Sequence, residues 1–298
     1  MLALFSIWMT IEKQSPCKVN LLLNILGKRS DGFHELETVL QPIPIFDHLS
    51  FSRVSQGVHL TCSDSALPTD SGNLVNRAAA MFLERAGIKE GVEIHLQKNI
   101  PLAAGLGGGS ADAATTLLGL DDLFDEPLRH EQLVELAKAL GSDVPFFLQT
   151  KPALAIGRGE NIQSLDEFPA LRGAAFILVH PGFGIPTAWA YRKLAEFPHA
   201  LQGRPGRAQK LISLLQSSSL EAVVPEFYNS LEAPALQKYP LLSLFQDFFR
   251  ENGAAVTLMS GSGSSTFAVV KDTAAGERLA ELFQSKFGKT NWIKVVAA

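Results

Sequence analysis

Cysteine is nearly absent from this sequence. Cys17 and Cys62 are the only two in 298 residues, too few for a disulfide framework or a CxxC metal site, and usage of this kind suits a reducing cytosol. Neither sign of charge is in excess: 26 Lys and Arg face 30 Asp and Glu, a net charge of -4. That balance gives no global basic field for nucleic acid or an anionic membrane, so an anionic ligand is expected to be held locally. No apolar run reaches the roughly 18 residues of a membrane span. The apolar opening from Met1 to Ile11 has no basic start and runs into Glu12 and Lys13 instead of a small-residue cleavage site. It reads as a buried edge strand, not a secretion signal. Internal repeats and low-complexity tracts are missing as well. A soluble, cytoplasmic protein is expected.

Hydrophobic residues make up 46% and charged residues 19%, the composition of a globular chain, and the length calls for one large domain or two packed lobes. Val19, Leu21, Leu23 and Ile25 alternate as in a half-buried strand. The turn-rich stretch Gly27 to Gly32 then leads to a second extended segment, His34 to Ile45, so a hairpin with a long polar tip is predicted. Helical spacing over Asn73 to Arg85 ends at Gly87, and Val92, Ile94 and Leu96 alternate as a strand. A glycine-rich loop from Pro101 to Ser110 follows, and then a helix starting near Ser110. Another amphipathic helix, His130 to Leu140, stops at Gly141. Strands are predicted at Ala174 to Val179, Ala255 to Met259, Thr266 to Val270 and Trp292 to Val296, with a helix at Ala274 to Phe287 and an exposed loop at Gln202 to Arg207. The second half reads as α+β.

The strongest motif is Pro101-Leu102-Ala103-Ala104-Gly105-Leu106-Gly107-Gly108-Gly109-Ser110-Ala111. Its glycines remove Cβ atoms that would keep a phosphate from backbone N–H groups, and the following helix adds free donors and the positive end of a dipole. A flexible turn is the plainer reading, but such a turn has no need to sit between a strand and a buried helix. A Rossmann loop fits poorly, because its sixth position is Ser110 and it lies far from an opening strand. A Walker A loop fails too: the Gly288-Lys289-Thr290 triplet has Phe283 where the first glycine belongs. Ser260-Gly261-Ser262-Gly263-Ser264-Ser265 is either an ordinary hairpin connection or a second wall of the phosphate site. Lys18 and Asn20 could form a solvated strand face, Asp143 could cap a short helix, and His34 could be a loop histidine without a task. Their meaning depends on their being taken together.

In that order and spacing, the opening lysine strand, the glycine loop and the late Gly-Ser loop resemble the GHMP kinases, named for galactokinase, homoserine kinase, mevalonate kinase and phosphomevalonate kinase. Ser15 to Leu21, Gly27 to His34, Leu140 to Phe147 and His180 to Thr187 resemble one branch of that family. That branch phosphorylates the 2-hydroxyl of a cytidine-diphosphate-linked methylerythritol in the non-mevalonate route to isoprenoid precursors. The resemblance implies a two-lobed α+β fold: an N-terminal ATP-binding lobe, ribosomal protein S5 domain 2-like, over residues 1–161, and a C-terminal α+β lobe over 162–298, with the active site in the cleft. It implies Lys18 and Asp143 as the catalytic pair, and Pro101 to Ala111 as the loop for the ATP phosphates. Asn20 and His34 would contact the substrate, the cytosine would stack between Phe33 and Tyr191, and Gly261 and Gly263 would complete the substrate-binding residues. Phe33 stands where the family usually has Tyr, and Cys17 where it usually has Ala. ATP with Mg²⁺ is the implied cofactor; the metal ligands stay unassigned, with Ser110 and Asp112 possible and Asp112 equally a first-turn acid. Phosphoryl transfer asks mainly for charge neutralisation and alignment, which these residue types supply. Two other readings stay open: a GHMP kinase for homoserine or a mevalonate derivative, and a nucleotide-binding regulator without turnover. No nucleic-acid or membrane partner is expected.

Overall fold

A computed structural model describes residues 10–298 of the chain; the edge strand expected at Met1 to Ile11 lies outside the described residues except for its end. The chain divides into two compact units, neither continuous in sequence: Met1–Pro16, Phe46–Ile100 and Gly108–Gln149 in one, and Cys17–Ile45, Pro101–Gly107 and Thr150–Ala298 in the other. Two long strands, β1 (Ile11–Lys28) and β2 (His34–Val54), contribute residues to both.

In the first unit, β3 (Val58–Cys62), helix α1 (Leu74–Ala86) and β4 (Gly91–Gln97) form a crossover that brings β4 parallel to β3, and β4 then pairs antiparallel with the second half of β2. The start and stop of α1 are legible in the sequence: Asn73 caps Val75 N–H through its side chain, and Gly87 ends the helix at φ 68°. Helix α2 (Gly108–Leu123) begins two residues earlier than its sequence signal. Its Gly119 meets Phe51 of β2 so closely that a Cβ would stand 2.5 Å from the ring. Burial of Phe51, Phe82, Ile94, Ala113 and Leu117 makes this unit's core. Helix α3 (His130–Leu140) turns Leu133, Leu136, Ala137 and Leu140 inward, as its spacing predicts.

In the second unit, β5 (Ala153–Gly157) pairs with the first half of β2, and β6 (Asn161–Ser164) with β5. Then come β7 (Ala175–His180), helices α4 (Thr187–Lys193), α5 (Pro198–Leu201), α6 (Arg207–Ser217) and α7 (Leu220–Val223), and the two-residue β8 (Tyr228–Asn229). Helices α8 (Glu232–Lys238) and α9 (Pro240–Glu251), strands β9 (Val256–Met259) and β10 (Thr266–Val270), helix α10 (Thr273–Phe287) and strand β11 (Trp292–Ala297) complete the chain. Antiparallel β11-β7-β10-β9 form a sheet whose residues Ala175, Ile177, Val179, Ala268 and Val270 pack with Phe245, Phe249, Leu279 and Phe283. The short β8 runs parallel to β1, Leu23 opposite Asn229. That register delivers Asn229 to the site.

Candidate active site

β1 reads as one-sided from its alternation, yet residues 17–25 are buried on both faces, including Lys18 (3% exposed) and Asn20 (4%). The solvated-face reading therefore fails. A buried ammonium needs partners, and Lys18 Nζ donates to Asn20 Oδ1 at 2.5 Å and to the carbonyl of Gly105 at 2.9 Å. Asn20 is held in turn, its Nδ2 donating to Thr38 Oγ1 at 2.9 Å, and Thr38 donates to the carbonyl of Leu22. Each member orients the next, so the lysine is locked by a chain of bonds across β1 and β2.

The glycine loop lies against that lysine. Lys18 N–H donates to Leu106 O at 2.9 Å, and Ala103, Gly105 and Gly107 have φ of 50°, 77° and 74°. Left-handed residues interspersed in a loop turn successive N–H groups toward one side, the geometry of an anion nest. Gly105 also needs to be glycine on space alone: a Cβ there would stand 2.0 Å from Ser260 O. The loop then enters α2 at Gly108, so its N–H groups up to Ala111 are the helix donors that lack intrahelical partners. Gly109 is exposed, Ser110 is half-buried and Ala111 is buried. The left-handed turns of the loop and the start of α2 are each of a kind that suits an anion such as phosphate.

The Ser260 to Ser265 loop is both a hairpin connection, between β9 and β10, and a wall of the first loop. Ser260 Oγ donates to Gly105 O at 2.9 Å, and Ser265 N–H to Ala104 O at 3.0 Å. Gly261, at φ 57°, lies close enough to Lys18 that a Cβ would stand 3.3 Å from its Nζ. A Cβ on Gly263 would meet Met259 Sδ at 2.6 Å. Two residues that sequence reasoning missed hold this wall. Asn229 Nδ2 donates to Met259 O (2.7 Å) and Gly261 O (2.8 Å), and the Glu232 carboxylate accepts Met259 N–H at 2.7 Å and a bond from Gln246. Burial pushes the Glu232 carboxyl up to about 7, although these donors pull it down.

Around the opening hairpin, His34 and Tyr191 rings lie 5.1 Å apart, tilted by 40°. Burial lowers the His34 imidazole, and Lys28 lowers it further. Phe33 is half exposed, and the Arg158 guanidinium lies 4.7 Å over its ring. Arg158 follows Gly157 at the end of β5, and nothing in its sequence context announced it.

In the first unit, Asp143 follows the α3 stop at Gly141 and precedes a 3-10 turn, Val144–Leu148, but its side chain makes no capping hydrogen bond to that turn. The capping reading thus loses its bond. Asp112, weighed in the sequence as a magnesium ligand or first-turn acid, is the fifth residue of α2; it is 2% exposed and bonds Lys98 at 2.7 Å. Its Oδ2 is engaged, while Oδ1 is buried without a hydrogen-bond partner among the described residues. Among the described residues no group of three or more His, Cys, Asp and Glu side chains could hold a metal ion, and no helix is long and apolar enough to cross a membrane.

Residues 73–151 match the family model for the GHMP kinases N terminal domain, and residues 197–289 that for the GHMP kinases C terminal. A 4-diphosphocytidyl-2-C-methyl-D-erythritol kinase of Syntrophotalea carbinolica is 37% identical over 276 residues, 92% of this chain and 94% of that protein. One of Methylacidiphilum infernorum is 39% identical over 289 residues, 96% of each. The crystal structure of a 4-(cytidine 5'-diphospho)-2C-methyl-D-erythritol kinase superposes with a TM-score of 0.78 at 34% identity, over 97% of this chain and all of that one. A homoserine kinase of Cytophaga hutchinsonii superposes with a TM-score of 0.73 at 20% identity, over 99% and 96%, and so shares the fold.

Proposed function

This chain belongs to the GHMP kinases, ATP-dependent small-molecule kinases, and on that premise we propose that it transfers the γ-phosphoryl of ATP to the 2-hydroxyl of 4-diphosphocytidyl-2-C-methyl-D-erythritol. The observation that carries the reading is the buried Lys18 ammonium held between Asn20 and the carbonyl of Gly105. A cation fixed on the wall of a nest for anions has a use in phosphoryl transfer and costs desolvation otherwise. The choice of acceptor rests on relatives of that name, 37 to 39% identical over nearly the whole chain.

In this reading residues 1–161 carry ATP binding and residues 162–298 the second lobe. The N–H groups from Gly105 to Ala111 bind the phosphates, and Lys18 neutralises charge that develops on the transferred group. Asp143 accepts or orients the proton of the attacking hydroxyl. Asn20 sets the lysine and contacts the acceptor with His34. Phe33 and Tyr191 offer aromatic faces to the cytosine, and Gly261 and Gly263 let the second wall approach. Mg²⁺ would accompany the nucleotide and spread its charge; Ser110 would offer its hydroxyl, while Asp112 is buried with one oxygen bonded by Lys98. A magnesium ion held largely by phosphates and water needs no protein cage.

The test is ADP release with the diphosphocytidyl substrate, with mevalonate and homoserine as controls. Turnover with the first and not the others is expected. Turnover only with a control, or nucleotide binding without ADP release, would overturn the assignment. Asp143→Asn should lower kcat by roughly 10² to 10⁴ with little change in either KM. Lys18→Met should also lower kcat severely, and the double variant should lose far less than the product of the single losses, as residues acting on one transition state do. Multiplicative losses would separate the two roles, and near-normal turnover of Asp143→Asn would refute the mechanism.

A further inference from the structure

Flanking the glycine loop, in the first unit, is a buried ion cluster that the mechanism above does not use. Lys98 bridges Asp47 and Asp112, with side-chain exposures of 5%, 0% and 3%. The bonds divide between the two ends of the loop. At the entrance, Asp47 Oδ1 accepts the N–H groups of Asn99 (2.5 Å) and Ile100 (2.9 Å), the last two residues before Pro101, while its Oδ2 accepts from Lys98. At the exit, Lys98 Nζ donates to Asp112 Oδ2 at 2.7 Å, one helical turn into α2. The same ammonium lies 3.5 Å from where a Cβ of Gly108 would stand, and Ile100 Cγ2 lies 3.1 Å from that point. The chain thus leaves its strand and enters its helix with both backbone segments tied to one ammonium.

Energy alone gives little reason for such an arrangement. Burying three charges costs several kcal/mol per ion before attraction offsets it, and apolar side chains of similar volume commonly stabilise a core as well or better. Burial raises the Asp112 carboxyl in spite of Lys98, and although burial works to lower Lys98, its two carboxylates hold it protonated. What an ion cluster supplies and an apolar one does not is direction. Each bond has one geometry, so strand end and helix start are fixed in register, and the nest between them inherits its spacing.

We propose that Asp47, Lys98 and Asp112 are positioning residues for the nucleotide: they tie the two ends of the glycine loop so that its N–H groups are set in advance for the phosphates, without touching ATP themselves. The inference rests on the phosphate reading of the loop. It predicts that weakening the cluster loosens nucleotide binding selectively, because a loop that must order itself on binding loses affinity for what it holds and not for the acceptor alcohol.

The experiment compares the full-length protein with Asp112→Asn, Lys98→Met and Gly107→Val. It measures ADP affinity by calorimetry, KM for ATP and for the acceptor, and thermal unfolding. Lys98→Met leaves two buried carboxylates facing each other and serves only if it folds; Asp112→Asn keeps shape and one ion pair and is the decisive variant. Asp112→Asn is expected to raise the ADP dissociation constant and the KM for ATP about tenfold, with acceptor KM within twofold of wild type. A folded Asp112→Asn with nucleotide affinity within twofold, beside a Gly107→Val that has lost it, overturns the inference and spares the loop reading. Equal losses for ATP and acceptor also overturn it, since they mark a general structural role. Unchanged nucleotide affinity in a folded Gly107→Val removes the loop from the site, and the inference falls with it.

Discussion

The two small-residue loops look alike in sequence and do opposite things in the fold. Residues 101–111 include exposed positions, Ala103 and Gly109, and run into a helix N-terminus. Residues 260–265 are buried at every position and connect two antiparallel strands. The first has left-handed turns at Ala103, Gly105 and Gly107 ahead of its helix start, whereas the second spends its groups inward, on Gly105, Ala104 and Asn229. Each is anchored by carboxyl groups, and the anchors differ: Asp47 and Asp112 are buried, Glu232 is half-buried. Asp47 and Asp112 share an ammonium, but Glu232 is met by neutral N–H groups, with Arg250 as its weakest influence. Burial raises Glu232 to about 7 accordingly. A glycine-serine run therefore says that backbones approach closely; whether a ligand or another segment of chain fills the space is decided by its surroundings.

The contact between the loops gives the largest expected effect. Gly105→Ala places a Cβ 2.0 Å from Ser260 O at a φ of 77°. Neither loop can yield without losing the Lys18 bond or the Ser260 bond at the same carbonyl. We expect the unfolding free energy to drop by about 2 to 4 kcal/mol and ADP binding to disappear in whatever remains folded. Denaturant unfolding and calorimetry measure the two. A stable Gly105→Ala that binds ADP normally would show that the loops do not depend on this contact.

Much of the fold on which these loops sit was legible. Residues His130 to Leu140 form the helix their spacing predicts, and Thr266 to Val270 the strand, because apolar period and stop signals are local properties. The helices between residues 207 and 251 went unread, although Leu242, Phe245 and Phe249 recur at helical spacing behind Pro240. At the site, the glycine loop and Lys18 are recognisable from their order. Asn229, Glu232, Asp47 and Lys98 are not, since the first three act on backbone groups and Lys98 on two carboxylates, all brought near by tertiary structure, and a lone Asn or Asp in a sequence is equally suited to a turn. Burial of Lys18 was invisible for the same reason: alternation reports one face of β1, and the cover on its other face comes from distant segments.

The anchor of the second loop can be tested through pH. With a folded pKa of about 7 against an ordinary value of 4.5, Glu232 takes up a proton on folding. Its contribution to stability is therefore fully present below about pH 4.5 and is lost as pH rises through 7. The loss is on the order of a few kcal/mol, each tenfold change in proton affinity being worth about 1.4 kcal/mol. Glu232→Gln should remove that decline, so the difference in urea-unfolding free energy between variant and wild type should grow in favour of Gln from pH 5 to pH 8. A constant difference across that range would mean that Glu232 does not titrate there. Loop 260–265 would then be anchored independently of pH.

The smallest effect separates what the first loop does for folding from what it does for the nucleotide. Gly109 is exposed, has no positive φ, and occupies the second position of α2; a Cβ there would find Leu74 Cδ1 at 3.9 Å, an ordinary contact. On structural grounds alone Gly109→Ala should be harmless or better, since alanine restricts the unfolded chain at a helical position, a gain of about 0.5 kcal/mol. The chemistry asks for the reverse. If the N–H of Gly109 faces a phosphate, the added methyl group stands where the nucleotide approaches, and KM for ATP should rise severalfold while the unfolding midpoint rises slightly. Stability and affinity moving in opposite directions at one residue is what a glycine kept for a ligand predicts. A variant that gains stability and binds ATP as before would shift the phosphate contacts away from the helix start, onto the left-handed turns at Gly105 and Gly107.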